Sequence, residues 1–135
     1  MNHGLRAEGY VKKKLERQHN TTLEKKKLKI GKKSNGKPIL HEFDLVSSDV
    51  KLVIEVKSYK LGNETTKKAG YSTTRKSRLI SACFYLSKVK KATTRFLVLT
   101  NKELHSQFIK DMDGLLDAKI EIICLPFDPE RIKRG

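Results

Sequence analysis

A chain of 135 residues, 37% hydrophobic and 33% charged, is the size of one domain and apolar enough to enclose a single core, which excludes wholesale disorder. Thirty Lys and Arg against fifteen Asp and Glu leave a net charge of +15, a field that concentrates polyanions and makes nucleic acid the favoured partner. The sequence holds no apolar run of about 18 residues, no signal-peptide core and no Cys/His cluster of zinc spacing, which argues against a membrane partner, export and a zinc module.

The expected protein is soluble, cytoplasmic and nucleoid-associated, with Cys83 and Cys124 as free thiols in apolar stretches. From His3 to Gln18, the residues Leu5, Val11 and Leu15 recur at helical spacing among Lys and Arg, which predicts an amphipathic first helix. Leu28 to Lys32 alternates and ends at the Ser34-Asn35-Gly36 turn signal, a short first strand. Ile39 to Val46 and Leu52 to Tyr59 are β-rich runs on either side of Ser47-Ser48-Asp49, which predicts a hairpin. Strict alternation puts Glu42 and Asp44 on one face of it with Val53, Glu55 and Lys57, and sets Phe43, Leu45, Leu52, Ile54 and Val56 on an apolar opposite face.

Lys60 to Ser77 reads as a polar connection that enters a helix near Ser72 or Thr73, and that helix carries Leu79, Ile80, Cys83, Phe84 and Leu86 to about Lys90. Arg95 to Thr100 is a buried strand, Glu103 to Ala118 an amphipathic helix, and Ile120 to Leu125 a last strand. The order α, β, β, β, α, β, α, β over residues 1–135 predicts one α/β domain: a mixed sheet of about five strands flanked by helices on both faces.

Carboxylates seldom sit inside apolar β-runs, because removing a charge from water is costly unless a partner or a metal compensates it. Asp44 and Glu55 both do, on adjacent strands of one expected hairpin. Two like charges at short range call for a shared divalent cation, and hard oxygen ligands in a site open to phosphate suit Mg²⁺, with Mn²⁺ as a substitute. Lys57, two residues beyond Glu55, points to the same side, where an ammonium can orient water and offset charge on a phosphoryl group.

With HEFD at residues 41 to 44 and IEVK at 54 to 57, the sequence resembles the PD-(D/E)xK nuclease superfamily, whose restriction enzymes, Holliday junction resolvases and repair nucleases share an Asp followed by Glu-x-Lys across a hairpin. The resemblance implies a restriction-endonuclease-like core, catalysis by Asp44, Glu55 and Lys57, and Glu8 on the first helix as a further metal or metal-water ligand. Phe43 stands where the name-giving proline would be, and no Gln-x-x-x-Tyr motif follows Lys57, which leans away from the RecB-like branch.

The bland readings are an ion pair between Glu55 and Lys57 on a solvated sheet, a turn role for Asp44, and an i,i+4 pair of Glu8 with Lys12. His41 reads as structural. The basic group Lys60, Lys67, Lys68, Arg75, Lys76 and Arg78 follows the Glu-x-Lys strand and is expected to bind phosphate, helped by backbone N–H groups at the start of the next helix. The sequence therefore points to a Mg²⁺-dependent endonuclease acting on branched or duplex DNA, first of all a junction-resolving homodimer with no small-molecule cofactor. Sequence-specific restriction or homing-type cleavage is the alternative, and a non-catalytic nucleic-acid-binding domain of the same fold is the rival from another class.

Overall fold

The computed structural model describes residues 3–59, 72–117 and 119–127. Helix α1 (His3–His19) is followed by strands β1 (Leu23–Lys32), β2 (Pro38–Ser47) and β3 (Leu52–Lys57), then α2 (Thr73–Ser87), β4 (Thr94–Leu99), α3 (Lys102–Asp111) and β5 (Ile120–Cys124). The five strands form one sheet in the order β1-β2-β3-β4-β5, antiparallel from β1 to β3 and parallel from β3 to β5. The protein is thus an α/β domain with a five-stranded mixed sheet and helices on both faces.

The layers follow from where each strand's apolar residues point. Val11 and Leu15 of α1 pack with Leu45, Ile54, Phe96 and Val98 on one face of the sheet. On the other, Leu79 and Leu86 of α2 and Leu104 and Phe108 of α3 pack with Phe43, Val53, Leu97 and Leu99. Two successive β-α-β crossovers of the same hand move the chain one strand along each time, so α2 and α3 share a face. Polar caps set both helix starts: Ser72 Oγ accepts from the N–H of Arg75 at 3.2 Å, and Asn101 Oδ1 from the N–H of Leu104 at 2.9 Å.

Helix α2 is tied at its other end by an unusual device. Arg95 of β4, only 7% exposed, donates from Nε to the Leu86 carbonyl at 3.1 Å and from a terminal nitrogen to the Val89 carbonyl at 2.6 Å. A buried cation is tolerable there because the Leu86 carbonyl, in the last turn of the helix, carries the negative end of its dipole, and the Val89 carbonyl just past the cap accepts a second charge-assisted bond. Arg95→Leu is expected to cost about 1–3 kcal/mol, the value of charge-assisted hydrogen bonds lost at a buried position, read as a lowered urea midpoint at unchanged slope.

Three expectations are corrected. Strand β1 begins at Leu23, five residues before the alternating segment, because Glu24, Lys26 and Lys27 pair along β2 with their side chains in water. Helix α3 ends at Asp111 rather than near residue 118: Gly114 turns the chain at φ +80°, and Met112 and Leu116 still pack against the core from that turn. Phe43 and Leu45 lie on opposite faces, not together. Glu24 pairs with Val46 but Lys26 pairs with Phe43, so β2 holds one residue more than β1 over that interval, a β-bulge at Asp44 and Leu45. The bulge reverses the alternation of β2 upstream of it and bends the β1–β2 ribbon where Asp44 sits.

Candidate active site

Strands β2 and β3 pair at Leu45 with Ile54 and at Val46 with Val53, and there the register between them stops. Beyond it β2 continues with β1 and β3 with β4, so the two strands part like a fork. The next rung is Asp44 opposite Glu55, and the ladder is replaced there by side chains. The Asp44 N–H donates to Glu55 Oε1 at 3.2 Å, and the Val56 N–H donates to Asp44 Oδ2 at 2.8 Å. Each carboxylate is therefore held by the backbone of the other strand, which brings two negative groups together in the crotch of the fork.

Their electrostatics differ. Glu55 is 4% exposed, and burial, followed by the charge of Asp44, pushes its carboxyl up to about 7, with Lys57 pulling in the opposite direction. Lys57 lines two openings beside the fork. One, of about 500 Å³, lies between Glu8, Lys57 and Arg78; the other, of about 260 Å³, lies between Glu55, Lys57 and the Thr74, Ser77 and Arg78 side of α2. Lys57 and Arg78 thus stand between the two carboxyl-lined recesses.

Glu8 of α1 reaches this region from the other layer. Burial raises its pKa first and Asp44 second, which places its carboxyl within the field of the fork. Its ion pair is with Lys25 of β1 at 3.9 Å, not with the helical neighbour Lys12. Glu42 is exposed. Of the basic residues expected to border the site, Arg78 does so, Lys76 is bound to Asp111 at 2.7 Å, and Arg75 lies over the ring of Tyr59 at 4.8 Å. Lys60, Lys67 and Lys68 lie outside the described residues.

His41, read from the sequence as structural, joins the site. Its Nε2 is buried without a hydrogen bond and lies 3.6 Å from Glu55 Oε2, while its ring stacks on Tyr85 at 4.2 Å and meets Phe43 edge-on at 4.6 Å. Burial lowers its pKa, so the ring beside Glu55 is held towards its neutral form. Two further histidines belong elsewhere: His105 Nε2 is 3.1 Å from the Ile122 carbonyl, and His19 lies against Phe96.

Among the described residues, no group of three or more His, Cys, Asp or Glu side chains is arranged to hold a metal ion. The donor set is smaller. Asp44 Oδ1 has no hydrogen-bond partner among the described residues, and Glu55 Oε2 has only the long approach of His41. Two hard oxygens on adjacent strands, beside open recesses, fit a cation such as Mg²⁺ that keeps most of its positions for water and phosphate. In comparisons with known proteins, the chain matches no family model, no curated protein and no solved structure. Among the described residues no helix is long and apolar enough to cross a membrane.

Proposed function

We propose that the protein is a Mg²⁺-dependent endonuclease that hydrolyses phosphodiester bonds in DNA, with Asp44, Glu55 and Lys57 at its centre and Glu8 as an auxiliary ligand. The observation that carries this reading is the fork: two carboxylates cross-bonded to each other's strands, one of them buried at a net cost, with an amine and a guanidinium at the opening. A fold bears an uncompensated buried carboxylate poorly, and perturbed acids in an open recess favour a catalytic role. The net charge of +15 supplies the attraction for a polyanionic substrate.

A divalent cation bound between Asp44 and Glu55 would polarise the phosphate and lower the pKa of water. Lys57 orients the attacking water and sets its ammonium against the phosphoryl oxygens, where negative charge grows as the P–O bond breaks. Arg78 steadies the neighbouring phosphate by a forked contact. Branched DNA such as a four-way junction is the first substrate to test. Cleavage of both strands calls for two such sites, and hence for a homodimer.

The test is a panel of supercoiled plasmid, linear duplex, four-way junction and RNA, each with Mg²⁺, Mn²⁺ or EDTA. Cleavage of junction or duplex DNA with either metal, abolished by EDTA and by Asp44→Asn, is the expected result. Tight binding of every DNA with no product under any metal would assign the protein to non-catalytic nucleic-acid binding instead.

A further inference from the structure

A recess of about 610 Å³ opens on the α2 side of the sheet, outside the fork. Leu28, Ile30, Val50 and Val89 make its apolar floor, and the exposed Lys26, Lys29, Lys32, Lys88, Lys90 and Lys91 stand around it. None of the six forms an ion pair with a described residue, and Lys88 rests its ammonium over the Phe84 ring at 5.0 Å. The floor is held in place at some cost. Val50, a β-branched residue, sits at φ +64°, a conformation that persists only where surrounding structure enforces it, and it packs against the core beneath.

The recess adjoins the fork. Leu28 pairs with His41 across the β1–β2 ribbon, and His41 stacks on Tyr85, both of which line the recess that holds Glu55. Helix α2 then carries the surface onwards, from Arg78 beside Lys57 to its cap at Lys88 among the rim lysines. A strand leaving Glu55 past the His41–Tyr85 stack arrives at six ammonium groups around an apolar floor.

We infer that this lysine-rimmed groove binds an unpaired strand of nucleic acid flanking the cleavage point, with phosphates on the rim and base faces against the floor. A paired strand offers the rim its phosphates only, because its base faces are already stacked. An unpaired strand offers both surfaces, and the groove presents the complement of both. An acidic peptide would match the charge, but continuity with the fork favours the substrate's own chain. The inference rests on the nuclease reading for the course of the strand and not for its binding, so it is tested without cleavage.

The experiment measures fluorescence anisotropy of labelled blunt duplex and of the same duplex with a single-stranded arm, in EDTA, for the full chain and for the triple variant Lys88→Glu, Lys90→Glu, Lys91→Glu. The armed duplex is expected to bind at least about tenfold tighter than the blunt one, the gain from covering roughly 55 Å² of apolar surface before the rim contacts add to it. In the triple variant that preference disappears, and the salt dependence for the armed duplex falls by about two in slope, as three lost contacts to a single strand require. Ile30→Thr, which keeps every lysine, is expected to lower the preference for the arm without changing blunt-duplex binding, and it covers the case of a triple variant that does not fold. An equal loss for blunt and armed duplexes would reduce the lysines to a general positive surface and overturn the inference. Unchanged binding of both would also overturn it, and an acidic amphipathic peptide that binds the groove undisplaced by DNA would give it to a protein partner. If no substrate is ever cut while the arm preference and its loss are seen, the nuclease reading fails and the groove stands.

Discussion

Glu55→Gln is expected to make the protein more stable and metal-blind at once. Folded Glu55 titrates near 7, raised from an ordinary value of 4.5 by burial and by Asp44. Below about pH 4.5 the group is protonated in both the folded and the unfolded chain and costs nothing. As pH rises through 7 the folded chain has to carry the buried charge, so the stability present at low pH is lost, by on the order of 3 kcal/mol once both states are ionised. Glutamine keeps the carbonyl oxygen that accepts from the Asp44 N–H and removes the charge. At pH 8 the variant should therefore melt roughly 10 °C above the parent, and the gap should close towards pH 4.5. Millimolar Mg²⁺ should largely close that gap. A cation at 100 times its dissociation constant stabilises the parent by about 2.7 kcal/mol, and the variant, short of one of its two principal ligands, should hardly respond. Thermal unfolding of both proteins at pH 5 and pH 8, with and without Mg²⁺, reads all of this. A variant less stable than the parent at pH 8 would mean that ionised Glu55 is already compensated inside the fold.

What could be read from the sequence and what could not divides along one physical line. Asp44 and Glu55 stood out because an apolar β-run leaves a carboxylate nowhere cheap to go, a property of each residue and its immediate neighbours. The order of helices and strands was legible for the same reason: periodicity is local. The bulge was not. Whether β2 holds one residue more than β1 between the Glu24 and Lys26 rungs is settled by pairing with a distant segment, and strict alternation therefore misplaced Phe43. His41 was hidden likewise, since what makes it part of the site is Tyr85 on α2 and Glu55 on the next strand. The first half of β1 was obscured by its own lysines, which leave no apolar alternation to read. For α3 the signal was present in Gly114, and the amphipathic pattern that continued beyond it as packed turn residues masked it.

Lys57→Ala separates chemistry from binding more sharply than any change to the carboxylates. Its side chain is half-buried at the mouth of both recesses, between Glu8 and Glu55, and its removal deletes a positioned cation without touching either strand's hydrogen bonds. A preorganised charge acting on a transition state is commonly responsible for factors of about 10²–10³ in kcat, about 3–4 kcal/mol of barrier. Single-turnover cleavage of the best DNA substrate should slow by that factor, while Mg²⁺-induced thermal stabilisation is kept and DNA affinity in EDTA falls less than threefold, as the loss of one surface cation among many permits. Asp44→Asn should show the opposite pattern. Its amide oxygen can still accept from the Val56 N–H, so the fork is kept, but the response of the melting temperature to Mg²⁺ disappears together with cleavage. Arginine at position 57 restores the charge but not the compact ammonium, and because the guanidinium stays protonated it is a poor proton carrier; recovery by Lys57→Arg should accordingly be partial. Full activity in Lys57→Ala would remove the amine from the mechanism and leave catalysis to the carboxylates and Arg78.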